Sequence, residues 1–140
     1  YLGGINIPFK LGLQGHSDAD PVLHAVIDGL LGASKLGDIG KLFSDKNQKY
    51  KNIRSTKLLK KTIEIINYKK LFINNIDINI IAEKPKINKF KNKMINKISK
   101  ICKIKTYQIN IKGKTTEKLG IIGKEKAIAS EAIVSLIKYD

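Results

Sequence analysis

Three short polar segments contain most of the residues that could do chemistry in this 140-residue chain. The first segment, GHSDADPVLHAVID, includes His16, Ser17, His24 and Asp28. His24 and Asp28 are four residues apart, so a helix places them on one face, where they suit a metal ligand with an orienting carboxylate or a hydrogen-bonded core histidine. Because a zinc site needs three protein ligands, this pair alone predicts no complete site. His16 precedes the helical pattern in a glycine-containing turn, where packing does not explain a histidine.

The other two segments are rich in glycine. In GDIGKLFSD, Gly37 and Gly40 flank Asp38, whose carboxylate could hold hydroxyl groups; the alternative for this segment is a helix C-cap followed by a turn. In GKTTEKLG, the two threonine hydroxyls and the backbone N–H groups could bind a phosphate, and Glu117 could hold a divalent cation that bridges phosphates. The segment lacks the Walker pattern, and an ordinary loop is the alternative. The three segments together predict one shared phosphate-handling site.

The charge balance raises the possibility of nucleic-acid binding. There are 27 lysines and arginines against 12 acidic residues, a formal net charge of +15. However, Arg54 is the only arginine, and the lysines rise together with isoleucine and asparagine, which indicates compositional bias. We therefore expect no specific nucleic-acid binding.

The single cysteine excludes an intrachain disulfide and favours a reducing compartment, the cytoplasm. No apolar stretch is long enough to span a membrane.

Hydrophobic periodicity predicts a single α+β domain over residues 1–140, or an α/β sandwich. Asp20 caps a first helix at Pro21, and Gly37 supplies its C-terminal stop. The final segment, AIASEAIVSLIKY, is compatible with either a helix or a strand. The remaining predicted elements are a helix from about Ser55 through Ile66, a strand over 71–82 with Phe72 on its apolar face, a helical stripe from Ile87 to Ile101, and a strand over 107–112 that begins with Tyr107.

These segments in this order resemble the 2-C-methyl-D-erythritol 2,4-cyclodiphosphate synthase family of the non-mevalonate isoprenoid pathway. The resemblance rests on the stretch GGINIPFKLGLQGHSDADPVLHAVIDGLLGASKLGDIGKLFSD, then IIAEKPK, then TTEKLG. It implies a small mixed β-sheet with helices packed on one face, assembled as a homotrimer with active sites between subunits and with the last segment as a strand. It also implies intramolecular attack of a 2-phosphate on the β-phosphate of a diphosphocytidyl substrate, which releases CMP.

The resemblance assigns roles to individual residues. His16 and Thr115 match transition-state-stabilising positions, His24 matches a zinc ligand, and Glu117 matches the ligand of a Mg²⁺ or Mn²⁺ that bridges the substrate phosphates. The positions that match substrate-binding residues are Ser17, Asp38, Ile39, Gly40, Phe43, Ser44, Asp45, Lys46, Asn47, Ala82, Pro85, Lys86, Ile87, Asn88, Lys114, Thr116, Glu117, Ile121 and Lys124.

Two departures from the family pattern bear on these expectations. The family's other two zinc ligands form an Asp-x-His motif that precedes GGINIP, where this sequence begins. Lys114 stands where a threonine is usual.

The alternatives to a synthase are a basic nucleic-acid-binding module and an inactive trimeric scaffold of the same family. The expected location is the cytoplasm, or a plastid or apicoplast in a plastid-bearing eukaryote.

Overall fold

The structure, a computed structural model, describes residues 1–7, 20–44, 46–50 and 53–140. Helix α1 spans Pro21–Ala33 and begins as its sequence predicts. The Asp20 carboxylate accepts a 3.0 Å hydrogen bond from the backbone N–H of Leu23. It also accepts hydrogen bonds from the backbone N–H groups of Gly3 (3.0 Å) and Gly4 (2.7 Å). The buried carboxylate therefore caps the helix and fixes the N-terminal turn against it.

The end of α1 differs from the prediction. The helix stops at Ala33, and Ser34 rather than Gly37 forms its C-cap. The Ser34 hydroxyl donates a 2.8 Å hydrogen bond to the Leu30 carbonyl, and Lys35 adopts the left-handed backbone conformation that follows many helices. Gly37 was the wrong stop signal, because Ser34 and Lys35, three and two residues earlier, already satisfy the terminal carbonyls.

Among the described residues, strand β1 spans Leu71–Ile81, β2 spans Ile109–Lys114 and β3 spans Ala129–Lys138. These strands form a mixed three-stranded sheet with the order β2–β1–β3. Strand β1 pairs in parallel with β2 and antiparallel with β3. The final segment is thus a strand, as the resemblance implied, and the predicted α+β class with a small mixed sheet is confirmed.

Two details of the strands correct the predicted pattern. A register shift between Ile73 and Asn75 forms a bulge, which places Ile73 in the core and leaves Phe72 39% exposed on the opposite face. Tyr107 is 83% exposed and lies in a 3₁₀ turn, so β2 begins at Ile109 rather than at Tyr107.

Helices cover one face of the sheet. Helix α3 spans Ser55–Tyr68, and α4 spans Lys91–Cys102 after a 3₁₀ turn at Ile87–Lys89. Helix α1 packs closely on β3, since a Cβ on Gly29 would lie only 2.8 Å from the Val134 side chain. The core between helices and sheet consists mainly of isoleucine and leucine. The described part of the chain contains no helix long and apolar enough to cross a bilayer.

The described ranges also contain two four-residue helices: α2 spans Ile39–Leu42 and α5 spans Gly120–Gly123. The first follows α1, and the second follows the TTEKLG segment, so each lies within or directly after one of the glycine-rich segments that the sequence singles out.

Candidate functional site

The loop that follows β1 lies beside the end of β2. The backbone N–H of Ala82 donates a 2.9 Å hydrogen bond to the Lys114 carbonyl, which extends the parallel pairing of the two strands by one residue. Since the carboxyl ends of parallel strands meet at one edge of a sheet, the AEKPK loop and the GKTT segment leave the sheet side by side.

A cavity of about 140 Å³ lies between these two segments. Its volume is below the roughly 300–1,000 Å³ of pockets that enclose a whole ligand, so it suits one part of a ligand, such as a single ring. It brings together two sets of predicted substrate-binding residues with the predicted catalytic Thr115. The lining residues are Ala82, Glu83, Pro85, Lys86, Ile87, Asn88, Gly113, Lys114 and Thr115.

The TTEKLG segment forms a tight turn beside this cavity. Glu117 (φ 54°) and Lys118 (φ 66°) both have left-handed backbone conformations. The backbone N–H groups of Thr116 and Lys118 donate to one carboxylate oxygen of Glu83, at 3.1 and 2.9 Å, and the N–H of Glu117 donates to the Thr115 hydroxyl at 3.3 Å. The prediction that these N–H groups bind a phosphate is therefore not met in this arrangement, because side chains of the protein already occupy them.

A second cavity, of about 310 Å³, adjoins the first and shares Glu83 and Lys86 with it. Lys84, Lys86 and Lys118 line it, together with Gly123 and Glu125. Lys84 and Glu125 form a 3.4 Å ion pair across this cavity, and the lysine side chain is more exposed than the glutamate side chain. This neighbourhood has more cationic than acidic side chains, which favours an anionic ligand nearby.

His24 and Asp28 do not interact with each other as a metal ligand and its orienting carboxylate. His24 Nε2 lies 2.9 Å from the Ser55 hydroxyl on α3, whereas Asp28 accepts a 2.7 Å hydrogen bond from the backbone N–H of Ile39. The shared helical face was predicted correctly, but tertiary neighbours take the two side chains in different directions. Asp38 caps the start of α2 by accepting a 2.8 Å hydrogen bond from Lys41 N–H, whereas the alternative left open by the sequence was a helix C-cap and a turn.

The remaining predicted site residues fall into three groups. His16, Ser17 and Asp45 lie outside the described residues. Phe43 is buried, with its ring edge-on to Tyr50 at 5.2 Å, while Ile39, Gly40, Ser44, Lys46 and Asn47 lie in or after α2. Ile121 is 66% exposed in α5, and Lys124 caps the end of that helix. In the part of the chain that the structure describes, no hydrogen bond or ion pair joins the α2 region to the two cavities.

Metal-ligating side chains are sparse. The described residues contain no group of three histidine, cysteine, aspartate or glutamate side chains able to hold a metal ion. His24 supplies one imidazole, so the described residues do not form a zinc site by themselves. Glu117 is exposed on the turn next to Thr115, and a single carboxylate fits Mg²⁺ where substrate phosphates supply further oxygens.

Comparisons with known proteins decide the family. A model of the YgbB family matches residues 1–137. The chain belongs to the YgbB family. Over 133 residues it is 49% identical to a 2-C-methyl-D-erythritol 2,4-cyclodiphosphate synthase of Caldicellulosiruptor bescii, covering 95% of this chain and 85% of that protein. The resemblance predicted from the sequence is confirmed.

Two further relatives of this YgbB chain add detail. A bifunctional enzyme IspD/IspF of Pelagibacter ubique is 64% identical over all 140 residues, and the chain spans only 38% of that protein's length. A structure described as a CDP complex of Plasmodium falciparum IspF is 41% identical, with a TM-score of 0.80 over 91% of this chain and 76% of that one. The fold of the YgbB chain therefore matches that of a protein solved with a cytidine nucleotide.

Glu83 lies at the centre of this site, and the sequence placed it only within the AEKPKIN stretch, with no role of its own. Its carboxylate joins the AEKPK loop to the TTEKLG turn, whose amides are 33 and 35 residues away in the sequence. No local motif marks such a contact, because it depends on the pairing of β1 with β2.

Proposed function

We propose that this chain is a cyclodiphosphate synthase domain that converts a 4-diphosphocytidyl-2-C-methyl-D-erythritol 2-phosphate into 2-C-methyl-D-erythritol 2,4-cyclodiphosphate and CMP. An oxygen of the 2-phosphate forms a bond to the β-phosphorus, and the bond from that phosphorus to the α–β bridging oxygen breaks. CMP leaves with that oxygen on its phosphate. No protein nucleophile is required, so catalysis depends on holding the substrate in a folded conformation and on stabilising its phosphate charges.

The main support for this proposal is the cavity between the AEKPK loop and the GKTT segment. The family match and the CDP-bound relative make the cytosine ring the best candidate for the cavity, with Pro85, Lys86 and Ile87 around it. The diphosphate would then extend past Lys114 and Thr115. Lys114 adds a cation at this position, and the Thr115 hydroxyl can donate to a phosphate oxygen. We keep His16 as the second catalytic group.

A divalent cation fits the same end of the site. Glu117 would supply one carboxylate oxygen to Mg²⁺ or Mn²⁺, and the α- and β-phosphates would supply others. Such a cation, when bound, neutralises phosphate charge and fixes the diphosphate geometry. The chain's own contribution is the turn that holds Glu117 next to Thr115.

A zinc ion at His24 is a separate proposal and has weaker support. The described residues offer one imidazole, which contacts Ser55, and any further ligands would come from elsewhere in the protein. We therefore assign no step of the reaction to zinc. Zinc content of the natural full-length protein, compared with that of its His24→Ala variant, tests this ligand: equal content in both would remove His24 from the zinc site.

We also propose a homotrimer that forms through the outer face of the sheet. Phe72, Ile133, Ile137 and Tyr139 are between 39% and 74% exposed on or beside that face. Phe72 and Tyr139 also contact each other through their rings, and exposed apolar side chains grouped on one face are typical of an interface. Active sites between subunits would allow the α2 region of one copy to meet the two cavities of another.

A cytoplasmic location, or a plastid or apicoplast in a plastid-bearing eukaryote, stays a prediction.

Release of CMP tests the function directly. The natural full-length protein is incubated with the diphosphocytidyl substrate, Mg²⁺ and Zn²⁺, and CMP and the cyclic product are quantified. We expect equal amounts of both, and about a hundredfold or greater loss of turnover in Thr115→Val if its hydroxyl stabilises the transition state. No turnover by the wild-type protein would reject the synthase and favour the inactive scaffold. The family match already favours the synthase over a nucleic-acid-binding module.

A further inference from the structure

We propose that Glu83 is a positioning residue that holds the TTEKLG turn in the conformation required for binding the diphosphate. This inference rests on the proposed function, because the turn matters only if the diphosphate lies against it. Glu83 follows β1 directly after Ala82, whose N–H continues the hydrogen bonding to the Lys114 carbonyl. The backbone of Glu83 is therefore placed by the end of the sheet.

The geometry of the turn explains why it needs an anion. The left-handed conformations of Glu117 and Lys118 leave the N–H groups of Thr116 and Lys118 directed toward one point. Converging backbone N–H groups form a nest that attracts negative charge. Here the Glu83 carboxylate occupies the nest, with one oxygen 3.1 and 2.9 Å from the two nitrogens. Left-handed residues other than glycine are strained, so the contact also offsets the cost of the turn.

One further contact lies within the turn, and a second joins the AEKPK loop to the residues after α5. The Thr116 hydroxyl donates a 2.7 Å hydrogen bond to the Leu119 carbonyl, and Lys84, next to Glu83, pairs with Glu125 after α5. Glu83 also lines both cavities, so it lies between the proposed nucleoside end and the cationic neighbourhood of Lys118. The contact network therefore runs from the strand, through Glu83, to the residues that present Thr115 and Glu117.

The test compares Glu83→Ala with Glu83→Gln in the natural full-length protein. The glutamine oxygen can accept the same two hydrogen bonds, whereas alanine has no acceptor. We expect Glu83→Ala to weaken CDP binding about tenfold or more, as loss of a preorganised pair of hydrogen bonds implies, and to change cytidine binding less than about threefold. Glu83→Gln should restore CDP affinity to near the wild-type value.

A second measurement, which needs no ligand, tests the contact itself. Amide hydrogen exchange at Thr116 and Lys118 should accelerate in Glu83→Ala and remain slow in Glu83→Gln, while the exchange of core amides in β1 stays unchanged. Equal loss of CDP and cytidine affinity, or unchanged CDP affinity in Glu83→Ala, would overturn the positioning role. If wild-type protein binds neither ligand, the proposed function fails, and the exchange data still decide whether Glu83 holds the turn.

Discussion

The carboxylate of Asp28 accepts a 2.7 Å hydrogen bond from the backbone N–H of Ile39, the first residue of α2. This contact joins the helix that presents His24 to the segment that contains Asp38. Asp38 itself uses its carboxylate to cap α2. The orientation of the GDIG segment is thus set by two carboxylates, one from a neighbouring helix and one at its own N-cap.

Replacing Asp28 tests this coupling. We expect Asp28→Ala to accelerate amide exchange at Ile39 and to reduce the free energy of unfolding by no more than about 1 kcal/mol, because the contact is exposed. Asp28→Asn keeps an oxygen acceptor and is the matched control. Unchanged Ile39 exchange in Asp28→Ala would show that the hydrogen bond does not hold α2.

Gly123 allows α5 to approach the TTEKLG turn. A Cβ at this position would lie 2.1 Å from the carbonyl carbon of Lys118 and 2.6 Å from its oxygen, so Gly123→Ala must displace the turn. We expect a loss of about 1–3 kcal/mol in stability and weaker CDP binding. Gly32→Ala is the control, since the added methyl group in α1 would meet no atom within 4 Å beyond the adjoining residues and the backbone of its own helix. There we expect a gain of up to about 1 kcal/mol, measured by urea unfolding. Equal stability of the two variants would contradict this account of the turn.

The sequence predicts the elements better than the contacts between them. The start of α1 was predictable because Asp20 and Pro21 act within a single turn of helix. The bulge between Ile73 and Asn75 was not, since it depends on how β1 pairs with the distant β3. For the same reason, β3 itself was ambiguous from its own residues: a strand is stabilised by its neighbours in the sheet.

The candidate site shows the same division. Family resemblance pointed to Lys86 and Thr115, and the structure brings both to one cavity. The contact of Glu83 with the TTEKLG turn was not predicted, because its partners are backbone amides in the loop after another strand and an amide has no signature in sequence. The spacing of His24 and Asp28 suggests a pair, yet His24 contacts Ser55 and Asp28 contacts Ile39. The packing of α1 against its neighbours decides which groups the two side chains reach.

The proposed trimer interface can be tested at Ile133, which is 74% exposed near the middle of β3. In a trimer, Ile133→Glu would bury a charge without a partner, which is strongly unfavourable. We expect light scattering to show a trimer for the wild-type protein and a monomer with unchanged helix content for the variant. Tyr107→Glu, at a position 83% exposed outside the strands, should leave the trimer intact. A monomeric wild-type protein, or a trimeric Ile133→Glu, would contradict the proposed interface.

Asp77 on the same outer face should make stability depend on pH. Hydrogen bonds from the side chains of Lys112 (2.8 Å) and Asn110 (3.1 Å) hold the pKa of Asp77 below its ordinary value of 3.8. Because the folded pKa is the lower one, the stabilisation is fully present above about pH 5 and is lost as the pH falls through the folded pKa. The Lys112 and Asp77 side chains are 43% and 34% exposed, so solvent screening limits the effect to about 1 kcal/mol or less.

Urea unfolding of wild type and Asp77→Asn at pH 7, 5 and 3, at equal protein concentration, measures this dependence. We expect the wild type to be more stable by the same amount at pH 7 and 5, and the difference to shrink by pH 3. A difference that stays constant down to pH 3 would show that the pKa of Asp77 is not lowered by folding.

The proposed function requires that the AEKPK loop and the GKTT segment form one nucleotide-binding site, and an NMR titration of the full-length protein with CDP measures this residue by residue. We expect saturable shifts at the amides of Ala82, Lys86, Ile87, Asn88, Lys114 and Thr115. Shifts confined to the lysine-rich outer faces of α3 and α4, or no shifts at saturating CDP, would contradict it.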